Sequence, residues 1–216
     1  MITIHQYLNK YPIKKNSKKL IVGTIHPHYH ENFIIPFFYG NRLSLWNILN
    51  QVYDGAIGTP ISVDGILRVL NQNQIAISDT IVRCERKSKS SLDKDLIPLQ
   101  LNNQLINDIT NSQIDEILFT SGFGKNNAFK LFYVDILGLK ITKEIKQNRE
   151  VTLKENIFGR PVKLSILYSP SGTANTGIVN SRLYKVNKDQ YLASKTPVQD
   201  FKVDHYREKF LNRVLF

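Results

Sequence analysis

Four short apolar runs, each ending in small or polar residues, punctuate the chain. Lys19–Thr24 (KLIVGT), Gln74–Ile77, Glu116–Thr120 and Val162–Leu167 are too short for helices and bounded by turn formers, so they predict buried strands. Apolar positions Leu43, Trp46, Ile48, Leu49 and Val52 fall at roughly helical spacing and predict a helix over residues 42–53. A second helix is predicted over 62–72, with Ser62 or Asp64 as cap, a third from Asn126 to Leu137, and a fourth over the last 20 residues. Glu150–Asn156 reads as an additional edge strand. Strand and helix alternate, which predicts an α/β fold: three α/β/α layers around a mainly parallel central sheet of about four strands.

A parallel sheet binds its ligands beyond the carboxyl ends of its strands. Those ends carry Gly23-Thr24-Ile25-His26-Pro27, Ser78-Asp79, Ser121-Gly122 and Ser169-Pro170-Ser171-Gly172. Small, polar and Pro/Gly residues therefore gather where a site belongs. No repeat or low-complexity tract divides the 216 residues, and one domain spanning 1–216 is expected.

Charge narrows the partners. The formal net charge is +11, from 29 Lys and Arg against 18 Asp and Glu. Such an excess favours a polyanion, since each neutralised phosphate releases condensed counterions. No apolar run approaches the ~18 residues that span a bilayer, and the N-terminal stretch lacks the order of a signal peptide. A lone cysteine, Cys84, allows no intrachain disulfide. A cytoplasmic protein without membrane partner is expected.

Four constellations carry candidate chemistry, each with a bland reading beside it. His26, His28 and His30 alternate after the first strand, a spacing used for zinc in some metallohydrolases. Tyr29 stands where one such motif needs Asp, so solvated histidines or a nucleobase-facing His26 compete with the metal. Phe37-Phe38-Tyr39-Gly40-Asn41, followed by Trp46, offers rings on which a base can stack; core packing is the alternative. Asp79 at a strand end can accept a ring N–H or cap a following helix, with Arg83, Arg86, Lys87 and Lys89 nearby as phosphate contacts. The loop Ser169, Pro170, Ser171, Gly172, Thr173, Ala174, Asn175 brings backbone N–H groups and hydroxyls within reach of a phosphate, or is a plain turn.

In that order these segments resemble the uracil-DNA glycosylase superfamily, closest to its hypoxanthine (sixth) family. Gly23-Thr24-Ile25-His26-Pro27 with Phe38-Tyr39-Gly40 and Trp46 is similar to the first motif. Asp79 with Val82, Cys84-Glu85-Arg86 and Ser91-Leu92-Asp93 is similar to a Trp-Asp-Val, Ser-Cys-x-Arg, Ser-Leu-Asp stretch, and Ser169–Gly172 to the second motif. The resemblance covers about residues 18–180. It departs at His26, which precedes the motif's Pro, and at the Asn tied to catalysis: Asn41 lies five residues before Trp46, not two or three.

The resemblance implies a monomeric glycosylase that flips a deaminated or modified base out of DNA and hydrolyses its N-glycosidic bond without metal or organic cofactor. It implies His26 as proton donor, so that its loss abolishes excision, and Asn41 as the group placing water. Thr24, Ile25, Phe38, Tyr39 and Asp79 would hold the base. Arg83, Arg86, Lys87, Ser169, Ser171, Gly172 and Asn175 would contact DNA. The alternative on the same fold is a protein that binds a modified base without cutting.

Overall fold

The computed structural model describes residues 1–87 and 92–212. Ser88, Lys89 and Ser91 of the middle stretch, and residues 213–216 of the expected last helix, lie outside the described residues. The strands are β1 (Ile2–Ile4), β2 (Lys19–Gly23), β3 (Ile75–Asp79), β4 (Ile81–Arg86), β5 (Leu96–Leu101), β6 (Glu116–Phe119), β7 (Glu150–Leu153) and β8 (Val162–Ile166). The helices are α1 (Ser44–Val52), α2 (Val63–Gln72), α3 (Gln104–Thr110), α4 (Ala128–Lys130, continuing as a π-helical segment Leu131–Ile136), α5 (Lys143–Asn148), α6 (Glu155–Phe158), α7 (Asn175–Val179), α8 (Arg182–Asn187) and α9 (Pro197–Leu211).

The main sheet runs β3-β2-β6-β8-β7; its first four strands are parallel and β7 is an antiparallel edge. The expected count of about four thus becomes five, because the edge strand at 150–153 joins the sheet. Alternate side chains feed two cores. Ile21, Ile77 and Leu118 pack with α1, α2 and α9, whereas Leu20, Val22, Ile117, Phe119, Leu164 and Ile166 pack with α3, α4, α5 and α6. Burial on both faces explains why these strands read as continuous apolar runs. Ser62 caps α2 by accepting from the Gly65 N–H at 3.1 Å.

A second, antiparallel sheet, β1-β4-β5, has no counterpart in the expected architecture. Asp79 caps no helix: the chain continues through Thr80 into β4. In β4, Arg83 and Glu85 face solvent while Cys84 and Arg86 are buried. Pairing of β1 with β4 carries the N-terminal segment to the carboxyl end of the main sheet, where it matters for the site.

Candidate functional site

Every parallel strand of the main sheet ends at one cavity of about 310 Å³. From β2 come Thr24, Ile25, His26 and Pro27; from β3, Asp79; from β6, Thr120 and Ser121; from β8, Ser169, Pro170, Ser171 and Thr173. The turn before α1 adds Tyr39, Asn41 and Arg42, the first residue of α1 adds Ser44, and the short helix Asp93–Asp95 with its cap adds Asp93 and Leu92. Segments spread over some 150 positions of sequence thus meet where the parallel topology places a ligand.

Asp79 sits deepest in the hydrogen-bond order. The Tyr7 backbone N–H donates to His5 Nδ1 at 3.0 Å, which leaves the ring proton on Nε2, and that N–H donates to Asp79 Oδ2 at 2.8 Å. The Gly23 backbone N–H is a further donor to the carboxyl. Burial raises the Asp79 pKa above its ordinary value, with the His5 hydrogen bond opposing. Gly23 is required here, because a Cβ would overlap Asp79 Oδ1 and the Tyr39 hydroxyl. His5 follows the three-residue strand β1 and belongs to no histidine cluster, so no local signal in the sequence marks it.

Asp93 is a second carboxyl in the same wall. Thr24 Oγ1 donates to its Oδ2 at 3.0 Å, and Ser121 adds a hydroxyl bond. The Asn126 side chain donates to its backbone carbonyl at 2.9 Å and to that of Leu96 at 2.7 Å, anchoring the turn. Burial, chiefly, and then the Asp79 charge push the Asp93 pKa up to about 6, against the pull of the Thr24 and Ser121 hydroxyls and of Arg86.

Tyr39 occupies the left-handed region (φ 55°), at the corner between the buried Phe37 and Phe38 and the cavity residue Asn41. Its hydroxyl and Thr120 Oγ1 are 2.5 Å apart; Thr120 Oγ1 donates to the Val22 carbonyl, so the tyrosine is the donor of the pair. Burial first, then Asp79, holds the Tyr39 pKa far above its usual value.

Three expected roles need correction. Phe38 stacks on no ligand: it is fully buried among Tyr7, Tyr11, Phe37 and His5, and its carbonyl accepts from Trp46 Nε1–H at 2.6 Å. Arg86 makes no phosphate contact, since its guanidinium lies in the interior, donating to Thr3 Oγ1 at 3.0 Å and the His26 carbonyl at 2.8 Å. His26 lines the cavity with both ring nitrogens already engaged. The Gln6 backbone N–H donates to its Nε2 at 3.1 Å, and its Nδ1–H donates to the Pro27 carbonyl at 2.7 Å. Burial lowers its pKa to about 4, so the ring is neutral at pH 7. The same commitment removes His26 from a zinc set, and His28 turns its Nδ1 to Thr3 Oγ1 at 3.0 Å.

The remaining candidates divide. Thr24, Ile25, Asn41, Ser169 and Ser171 line the cavity, while Gly172 and Asn175 follow immediately outside it. Arg83 and Lys87 are exposed on and after β4 and belong to no part of the lining. Helix α9 braces the second-motif loop from behind: Lys202 Nζ donates to the Ser171 carbonyl at 3.1 Å and the Tyr206 hydroxyl to that of Tyr168 at 2.8 Å. Burial lowers the Lys202 pKa to about 8.

Comparison with known proteins adds little. No family model and no curated protein matches the chain. A solution structure of a candidate uracil DNA glycosylase from Methanosarcina acetivorans is similar over 96% of this chain and 99% of its own, at 15% identity and a TM-score of 0.46. At that score the likeness carries no argument, and the functional reading rests on the geometry. No described helix is long and apolar enough to cross a membrane.

Proposed function

We propose that this chain is a DNA glycosylase of the uracil-DNA glycosylase superfamily, nearest its hypoxanthine family, that takes one everted nucleotide into the cavity and hydrolyses the bond to a deaminated base. One observation carries the reading. The segments that resemble the family's motifs, far apart in sequence, line a single cavity at the carboxyl ends of the parallel strands. Its size is at the small end of the ~300–1,000 Å³ range of ligand pockets, suited to one heterocycle with its sugar.

The residues then take these parts. Asp79, oriented by His5, accepts a ring N–H such as that of uracil N3 or hypoxanthine N1. Tyr39 and Ile25 form the walls, and Asn41 positions the water that adds to the sugar. The Ser169–Asn175 loop meets the backbone beside the everted nucleotide, and exposed Arg83 and Lys87 add to the cationic surface that grips phosphates. The protein acts as a single-domain monomer, and water is its only co-reactant.

The test is incubation with oligonucleotides carrying uracil, hypoxanthine or xanthine, followed by alkali. Strand breaks at the modified position, lost in Asp79→Asn, support excision. Retention in a gel without breaks leaves only base binding, and intact, unretained strands refute the reading.

A further inference from the structure

Breaking an N-glycosidic bond leaves negative charge on the departing base, and a proton delivered there lowers the barrier. The engaged imidazole of His26 leaves that role vacant. The hydroxyls nearest the two carboxyls are already committed. Thr24 donates its hydroxyl to Asp93, Tyr39 donates to Thr120, and Thr120 donates to the Val22 carbonyl. Arg42 lies exposed at the rim, away from the buried wall. Asp79 accepts through both the His5 N–H and the Gly23 N–H, an arrangement that favours its ionised form.

We propose that Asp93 is a second catalytic residue of this cavity, the general acid that protonates the leaving base while Asp79 remains the acceptor. The proposal rests on the glycosylase reading and deepens it. The C1′–N bond breaks with its electron pair passing to the base nitrogen, and the Asp93 carboxyl proton passes to the base. Water forms the new C1′–O bond and releases its second proton to solvent, from which Asp93 is reprotonated. Products are the free base and an abasic sugar, and the protein returns to its starting state.

Geometry separates the two carboxyls. They share one wall, so ionisation of one opposes ionisation of the other, and the one with fewer N–H donors holds the proton. Asp93 faces the Asp79 carboxyl from β3, the Arg86 guanidinium from β4 and the Tyr39 phenol before α1, besides the hydroxyls of Thr24 and Ser121. Burial and Asp79 keep it protonated to about pH 6, so a useful fraction still carries its proton near neutrality.

The experiment is single-turnover excision of uracil between pH 5 and 9, with wild type, Asp93→Asn and Asp93→Glu, and binding measured on an uncleavable 2′-fluoro analogue. Wild-type rate is expected to decline as pH rises above about 6. Asp93→Asn should be slower by about 10²–10⁴-fold, lose that decline, and bind the analogue within a few-fold of wild type. Asp93→Glu should recover part of the rate. Replacing uracil by 5-fluorouracil, which departs more readily as an anion, should shrink the Asp93→Asn defect, an effect that a misfolded wall does not produce. An active wild type whose Asp93→Asn variant keeps its rate or its pH limb overturns this role alone. A wild type that releases no base from any substrate overturns the functional reading and this role together.

Discussion

Asp93→Asn also has a consequence for stability that can be worked out without any substrate. The wild-type carboxyl moves from an ordinary value of 3.8 to about 6 on folding, mainly through burial and secondarily through Asp79. That interval corresponds to about 3 kcal/mol withheld from the folded state once Asp93 is ionised. The sign follows from proton counting: between about pH 4 and 6 the folded chain binds more protons than the unfolded chain, so ionisation on raising the pH weakens the fold. Below the unfolded value both states are protonated and nothing is lost; above about pH 6 the full penalty stands. Because the residue is only partly buried and the cavity admits water, screening reduces the realised value to about 1–2 kcal/mol. Asn retains a carbonyl for the Thr24 hydroxyl and carries no charge, so the variant should be more stable than wild type by that amount at pH 8 and equal to it at pH 4. Urea denaturation at the two pH values measures both. A variant less stable at pH 8, or a difference unchanged between the two pH values, refutes the assignment of Asp93 as a carboxyl destabilised by its surroundings. A stabilising change that removes turnover is what a functional carboxyl predicts.

Other perturbations test the rest of the wall. Gly23→Ala sets a methyl against Asp79 and Tyr39 and should lower excision at least about tenfold while leaving circular dichroism unchanged, because the clash is with side-chain atoms at the carboxyl end of the sheet and not with its backbone pairing. His5→Ala strands a buried carboxylate oxygen and should cost about 1–3 kcal/mol in urea denaturation; His5→Gln, which keeps an N–H donor, should recover part of both stability and turnover. Stability should fall steeply as pH drops below about 6.5. Burial holds His26 to about 4 and His205, wedged between Tyr168 and Phe201, to about 3, so only the unfolded chain takes up those protons. His205→Phe should make that acid transition shallower by several kcal/mol at pH 4, and an unchanged acid midpoint would contradict it.

The parallel strands were legible because burial on both faces leaves no polar position to confuse the reading, as Leu20-Ile21-Val22 and Ile117-Leu118-Phe119 illustrate. Topology then located the cavity, since the polar strand ends needed only to be parallel to converge. The second sheet escaped for two reasons. Residues Ile2–Ile4 are too short to show alternation, and Ile81–Arg86 reads by composition as a cationic loop. Arg86 shows the general difficulty: a guanidinium is assigned to solvent by type, and only tertiary contact reveals that it ties the small sheet to the loop after β2. Phe38 and Tyr39 are chemically similar neighbours, yet one is core and the other cavity, because a left-handed corner at Tyr39 separates them. His26 was placed correctly and given the wrong task. Its partners, the Gln6 N–H and the Pro27 carbonyl, are backbone groups to which sequence assigns no direction.

Charge distribution explains how a basic chain can carry an acidic pocket. The chain has a formal net charge of +11, yet Arg42 at the rim is the one Lys or Arg among the described lining residues, against two carboxyls, Asp79 and Asp93. A phosphate is therefore attracted to the outside of the molecule and repelled from the cavity, whereas an uncharged heterocycle with N–H donors meets acceptors inside. Cations that entered the cavity would invite the backbone in place of the base; carboxyls spread over the outer surface would weaken the grip on DNA. On the proposed reading, this separation of signs selects which part of a nucleotide enters. Burial first, and then the Asp79 charge, raises the pKa of the Asp93 carboxyl to about 6, so on the proposed reading the wall that admits the base also prepares the acid that acts on it.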